Sequence, residues 1–285
     1  MHLLKQGYFL IWFSLLNSCT NYGQLKVKAD LSDLLNEVSA VEIVPGSNLL
    51  WMINDGGNKK KLYGLNRSGK IKIVIPINAK NNDWEDLASD PEGNLYIGDF
   101  GNNENHRDNL KILKVDKSYL QTDTKAEVVK TKFYYPEQSK FPPKKKKRFF
   151  DAESFFYFNG SFYIFTRSRV PDQFGKTTLY KVPAQKGEFE ATKIGSFSHC
   201  SKLECSITSA TINTSGTEVL LLTHNSILKF KGFKGDNFLS VDPEVIALEH
   251  QSQKEGICYK SSNEVYITDE RTGTDGGNLY TFKLK

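Results

Sequence analysis

Glu85, Glu153 and Glu255 each open a short hairpin, and fourteen residues after each stand Asp99, Arg167 and Asp269. A hairpin returns the chain so that the start of its first strand lies beside the end of its second. The spacing therefore places three acid-led pairs side by side. Two further copies of the outline set Ser39 beside Asp55 and Thr208 beside Thr223 and His224. If the five hairpins share one ring, Ser39, Glu85, Glu153, Thr208 and Glu255 form its inner layer. Asp55, Asp99, Arg167, His224 and Asp269 surround them, and Asn54, Asp86 and Asp151 flank them. Carboxylates crowded in a narrow channel repel. They persist with a cation among them, with one proton retained, or with a basic partner such as Arg167. Hard oxygen donors of this kind suit Ca²⁺ and, less readily, Mg²⁺. On this reading Glu85, Glu153, Glu255 and Asp55 hold the metal, and Asp99, Asp269 and His224 serve acid–base chemistry. Arg167, Asp86, Asp151 and Thr208 contact a ligand. The alternative is an ion-pair network that only closes the strand starts.

The elements that must position these groups recur. Residues 37–58, 83–103, 150–169, 206–225 and 254–271 each read as strand, turn, strand. The turns are Pro45-Gly46-Ser47, Pro91-Glu92-Gly93-Asn94, Asn159-Gly160, Thr214-Ser215-Gly216 and Ser261-Ser262-Asn263. A third strand follows every hairpin, and a fourth follows all but the last. The missing one is available at the other end of the chain, in Gln24–Lys28, which alternates polar and apolar residues. Four antiparallel strands repeated at roughly 50 residues give an all-β β-propeller. Five blades are preferred over six, and the N-terminal strand closes the ring. Ser32–Asn36 is the one candidate helical turn, capped by Ser32-Asp33.

The remaining segments set the compartment. The 285 residues carry 38 Lys+Arg against 33 Asp+Glu, a net charge of +5 that is too mild to argue for nucleic acid. Residues 1–18 combine Lys5 with the apolar run Tyr8–Leu16, which fits a secretory signal. Leu16-Asn17-Ser18-Cys19 resembles a lipobox. Cys19 would then be lipidated and would anchor the protein in the cell envelope, at the outer membrane, periplasmic or surface-facing. Residues 19–30 would be anchor linker and closing strand, and residues 31–285 the propeller. Cys200 and Cys205 suit a short disulfide loop, or two free thiols, better than zinc with His199, and Cys258 reads as a buried hydrophobe. The segment 137–149 is an insertion whose Lys144–Arg148 run reads as a solvated loop or as an anion contact. His106 lies on a loop that would overhang the ring.

DWEDLASDPEGNLYIGDFGNN, FDAESF, SITSATI and KEGI resemble secreted β-propellers of Bacteroidetes. More remotely they are similar to esterase-like phytases and to gluconolactonase/senescence-marker-protein propellers. That resemblance implies a divalent ion at the channel mouth, with Glu85, Glu153 and Glu255 at ligand positions. The chain departs from it at Thr208, which is not an acid, and at Arg167, where other copies carry Asp. The function expected is a propeller that binds a divalent cation and a small polar or glycan ligand. Metal-assisted hydrolysis of a lactone or phosphoester is the chemistry if it is an enzyme. The alternative is a non-catalytic binding module or scaffold meeting an envelope partner.

Overall fold

A computed structural model describes residues 21–284. The expected signal segment and Cys19 lie outside the described residues. β1 (Lys26–Asp30) precedes a 3₁₀ turn, Asp33–Leu35, whose Leu34 N–H donates to the Ser32 hydroxyl. Blade 1 is β2 (Val38–Glu42), β3 (Leu50–Asn54), β4 (Lys61–Leu65) and β5 (Ile71–Pro76). Blade 2 is β6 (Trp84–Ser89), β7 (Leu95–Asp99), β8 (Lys111–Val115) and β9 (Val128–Tyr134). Blade 3 is β10 (Asp151–Phe158), β11 (Ser161–Arg167), β12 (Lys176–Pro183) and, after β13 (Gly187–Glu190), β14 (Thr192–Ser198). Blade 4 is β15 (Ser209–Ile212), β16 (Glu218–Leu222), β17 (Ser226–Lys231) and β18 (Glu244–Ala247). Blade 5 is β19 (Lys254–Ser261), β20 (Glu264–Asp269) and β21 (Asn278–Lys283), and β1 completes it. The protein is a five-bladed β-propeller.

The ring closes as the unpaired N-terminal strand requires, two residues later than the alternation suggested. Lys26 pairs with Thr281 and Asp30 with Asn278. Gln24 instead caps blade 4, its side-chain amide donating to Ala247 O and Glu249. β13 is the element the repeat did not reveal. It leaves blade 3 and pairs in parallel with β9, which gives blade 2 a fifth strand and covers its outer edge.

Each blade is packed on both faces, so the period-2 alternation sorts residues between two neighbours rather than between core and water. On β3, Trp51 and Ile53 join the core shared with blade 2, while Leu50 and Met52 join the core shared with blade 5. On β16, Leu220 and Leu222 face blade 5, and Val219 and Leu221 face blade 3. Five apolar cores result, one at each blade boundary. Cys258 is buried in the boundary between blades 5 and 1, and Cys200–Cys205 is a disulfide in the loop after β14.

Candidate metal and ligand site at the channel mouth

The innermost strands β2, β6, β10, β15 and β19 start on one face of the ring. In four of them the start is bulged. The register slips at Ser39, at Glu85-Asp86, at Glu153 and at Glu255. An inserted residue bends the strand and re-aims its side chain, a device that recurs beside binding sites. In the fourth blade Thr208 takes this place, its N–H donating to Leu222 O just before β15. The five ring residues inferred from spacing are therefore the five positions at which the innermost strands are irregular or begin.

The residue after each ring position forms the next layer down the axis. It is Ala40, Asp86, Ser154, Ser209 and Gly256. Four are small because the strands converge. A Cβ on Gly256 would stand 2.8 Å from Val41 N. Asp86 is the exception, and it fills the axis. Its Oδ1 accepts from Leu87 N (2.9 Å), and its Oδ2 accepts from Phe155 N (3.2 Å). The Ser209 hydroxyl donates to the same carboxyl at 3.2 Å and accepts from Ile257 N at 3.2 Å. Asp86 thus clasps blades 2, 3, 4 and 5 and plugs the channel. Burial pushes its carboxyl well above the ordinary range. The expectation that Asp86 contacts ligand at the mouth is corrected: the side chain is 1% exposed and engaged by the protein.

Asp99 and Asp269 are corrected for the same reason. Bulging sets Asp99 opposite Trp84 and Asp269 opposite Lys254, one residue away from the ring glutamates. Both aspartates are fully buried. Asp99 binds Arg107 (2.9 Å), Lys111 (2.8 Å) and Asn82 (2.7 Å). Asp269 accepts from Asn278 N (2.9 Å) and Tyr280 Oη (2.8 Å). Neither carboxylate is free to act as a base at the mouth.

The groups that do converge divide into two halves. On the blade 3 side, Glu153 is held by Arg167 (3.1 Å) and Arg169 (2.6 Å), and Arg169 also reaches Asp151 (2.5 Å). Burial alone would raise Glu153, but the two guanidiniums outweigh it and hold the carboxyl below its ordinary range. Burial drives the adjacent Asp151 up to about 8, and the Glu153 charge adds to this. Glu153 is thus spoken for by arginines, whereas the Arg167 Nε is buried without a partner.

The other half is acidic. Glu85 makes no hydrogen bond or ion pair with a described residue, and burial, then Glu153 and Asp83, raise it well above its ordinary value. Asp55 is raised to about 7 by burial and by Glu37 and Asp83. Glu270 is raised to about 9 by burial and by Glu255 and Asp55. Asp83 is raised as well, mainly by burial. Around these acids Ser39 Oγ, Thr208 Oγ1 and His224 Nε2 are buried and unpartnered. His224 Nε2 stands 3.8 Å from Glu255 Oε1. Its backbone is held by Lys254, a fully buried lysine that donates to His224 O at 2.9 Å.

Two glycines make room for the acids. A Cβ on Gly101 would fall 1.9 Å from Glu85 Oε1 and 2.6 Å from Asp83 Cγ. A Cβ on Gly56 would fall 2.1 Å from Asp83 Oδ1. The Asn- and Gly-rich loops are therefore more than turn formers: their missing side chains leave the space that the carboxylates occupy.

Spacing arguments missed Asp83, Glu270 and Arg169, which lie one or two residues outside the hairpin pairs. Asp83 and Glu85 flank Trp84, and an alternation count from Glu85 would have found Asp83. The insertion 137–149 also reaches this face. Arg169 N donates to Arg148 O at 3.0 Å, and Arg148 pairs with Glu104 at 2.5 Å. Lys144–Lys147 are exposed at the rim. His106 is exposed on its loop. Among the described residues, the one set of three metal-ligating side chains with ligand atoms within 4.8 Å of one another is His199, Cys200 and Cys205. Its two sulfurs are joined to each other, which leaves no zinc site there.

No family model matches the chain, and none of the curated proteins matches it in sequence. Solved structures resemble it. A PQQ-bound aldose sugar dehydrogenase from Streptomyces coelicolor matches 91% of this chain and 98% of its own, at 9% identity and a TM-score of 0.53. The calcium-binding protein regucalcin from Agrobacterium tumefaciens matches 92% of this chain and 93% of its own, at 12% identity and 0.49. A gluconolactonase from Xanthomonas campestris matches 88% and 73%, at 8% identity and 0.49. At 9% identity the likeness to the first is one of fold alone, and function rests on the site.

Proposed function

We propose that the channel mouth binds a divalent cation and, beside it, a small polar or glycan ligand. The observation that carries this reading is the Glu85 carboxyl. It is raised by burial and by its acidic neighbours, has no donor of its own, and sits in a cradle that Gly101 keeps open. The donor set suits a hard cation by its chemistry: carboxylates from Glu85, Glu255, Asp55 and Asp83, no three of which lie within 4.8 Å of one another before an ion draws them in, with the Ser39 and Thr208 hydroxyls of the same ring. Glu153 leaves the metal set and becomes the anchor of Arg167 and Arg169. Those guanidiniums give the site a positive side, suited to the oxygen-rich or anionic part of a ligand.

A bound cation would polarise a lactone or phosphoester oxygen. His224 is the imidazole at hand, held by its backbone, with Nε2 making no hydrogen bond and standing 3.8 Å from Glu255. The same reading keeps the protein at the cell envelope through lipidated Cys19. A non-catalytic binding module is favoured by one feature, the closed Asp151–Arg169–Glu153–Arg167 network, which orders the mouth without any ligand.

Gly101→Ala separates these readings. The new methyl group displaces flexible carboxylate ends rather than backbone, so the fold should survive. Calorimetric Ca²⁺ affinity should fall by about tenfold or more, equivalent to roughly 1.4 kcal/mol. Unchanged affinity would remove Glu85 and Asp83 from the site. Turnover of lactones or phosphoesters, lost together with Ca²⁺ in the same variant, would establish the hydrolase. Binding without turnover would leave the module.

A further inference from the structure

The innermost strands end on the opposite face, and there the ring surrounds a half-open cavity of about 620 Å³. Every blade contributes. Glu42 comes from the end of β2, Ser89 from β6, Phe156 to Phe158 from β10, Thr211 from β15 and Tyr259 from β19. The Asp86 clasp lies between the two ends of the channel, so this cavity is separate from the mouth.

Its chemistry is unlike that of the surrounding surface. The chain carries 38 Lys+Arg, yet none of those among the described residues lines the cavity. The walls are aromatic. Tyr157 is stacked on Tyr96 with centroids 5.9 Å apart and planes at 5°. Tyr259 is fixed by its hydroxyl, which donates to Glu218 Oε1 at 2.6 Å. Two acids line the space. Asp90 is consumed by Asn94 and Tyr96, at 2.7–2.8 Å. Among the described residues Glu42 receives only the Ser89 hydroxyl, at 2.9 Å, as a side-chain donor, and no described Lys or Arg pairs with it. Burial pushes Glu42 up to about 8, and Ser89 and the Ile43 N–H only partly offset this.

A half-buried carboxyl without a counter-ion, among aromatic faces that themselves attract cations, is complementary to one class of ligand. We propose that this cavity binds an organic ammonium, a cation carried on an apolar body, with Glu42 meeting the charge and Tyr157, Phe158 and Tyr259 the body. A neutral apolar ligand would fill the same space without calling on Glu42. Inorganic cations would gain nothing from the rings beyond their charge.

The test compares phenethylammonium with 2-phenylethanol, its neutral counterpart, by calorimetry on the purified chain. At about pH 9, where Glu42 has given up its proton, wild type should prefer the ammonium by about tenfold or more, and the preference should shrink towards pH 6. Glu42→Gln keeps the shape and the Ser89 bond and should abolish the preference. Tyr157→Ala should weaken ammonium binding by about threefold to tenfold and confirms the wall if the carboxyl variant folds poorly. Glu85→Gln, on the other face, should leave ammonium binding unchanged. Equal affinity for the two probes, an undiminished preference in Glu42→Gln, or no saturable binding of either at millimolar concentration would overturn the proposal.

Discussion

Asp86→Ala should lower the thermal midpoint by roughly 10 °C or more, the largest stability loss of any single polar substitution considered for this protein. The carboxyl occupies the axis where the other four blades contribute Ala40, Ser154, Ser209 and Gly256. Removing it strands the Leu87 and Phe155 N–H groups and the Ser209 hydroxyl in a space closed to water. A buried donor left without an acceptor costs about 1–3 kcal/mol, and the void adds to this, so a total of about 3–5 kcal/mol is expected. Asp86→Asn retains the volume and one acceptor oxygen. Because burial holds the native carboxyl toward its neutral form, the amide should lose less than half as much. Differential scanning calorimetry on both variants checks this. A midpoint within about 2 °C of wild type for Asp86→Ala would show that the clasp contributes nothing.

The second large effect joins pH to the cation. Without metal, the protein should lose stability as pH rises from about 5 to about 8, and Ca²⁺ should restore it progressively more over the same range. The sign follows from the raised acids. Unfolded carboxyls titrate near 4, whereas Asp55 titrates at about 7, Asp151 and Glu42 at about 8 and Glu270 at about 9, and Glu85 also lies well above its ordinary value. In that window the fold holds protons that the unfolded chain has released. The stability these acids contribute is complete below about 4 and is lost as pH climbs through the folded values. Burial lowers His199 and His250, which act in the opposite sense below their ordinary value, but the acids outnumber them. Lys254, lowered by burial to about 8, opposes the trend above that pH and closes the window. Ca²⁺ replaces the protons at Asp55 and Glu85, so its stabilisation grows as the protons leave. A hundredfold excess over Kd stabilises by about 2.7 kcal/mol. A Ca²⁺-induced midpoint shift equal at both ends of the range would contradict this.

Much of the architecture was legible because a propeller writes itself as a repeat. Five hairpins with Gly or Asn turns and an orphan strand at Gln24–Lys28 leave little freedom in the topology. What escaped is non-repetitive. β13 pairs across to another blade through four residues, too short a run to carry its own signal. Within the site, the ring residues followed from spacing, but their neighbours did not. A hairpin count assumes a regular ladder, and the ladder is broken at the ring by a bulge in four innermost strands. That one-residue slip buries Asp99 and Asp269 in polar clasps of their own. Asp86 carries no mark in a sequence that distinguishes a ligand contact from a plug. Its meaning depends on the small residues at the same level in the other four blades. Arg169 lies two residues past the paired position and takes Glu153 away from the metal set.

If the acids at the mouth exist for a cation, the metal content of the chain shows it most directly. Residues 20–285 purified without chelator, supplied with Ca²⁺ near pH 8 and desalted, would be measured by plasma mass spectrometry beside Glu85→Gln. About one Ca²⁺ per chain in wild type, and a small fraction of that in the variant, is the predicted result. Equal metal content in the two proteins, or none in either, would contradict the account and leave the ring as an ion-pair network closing the propeller.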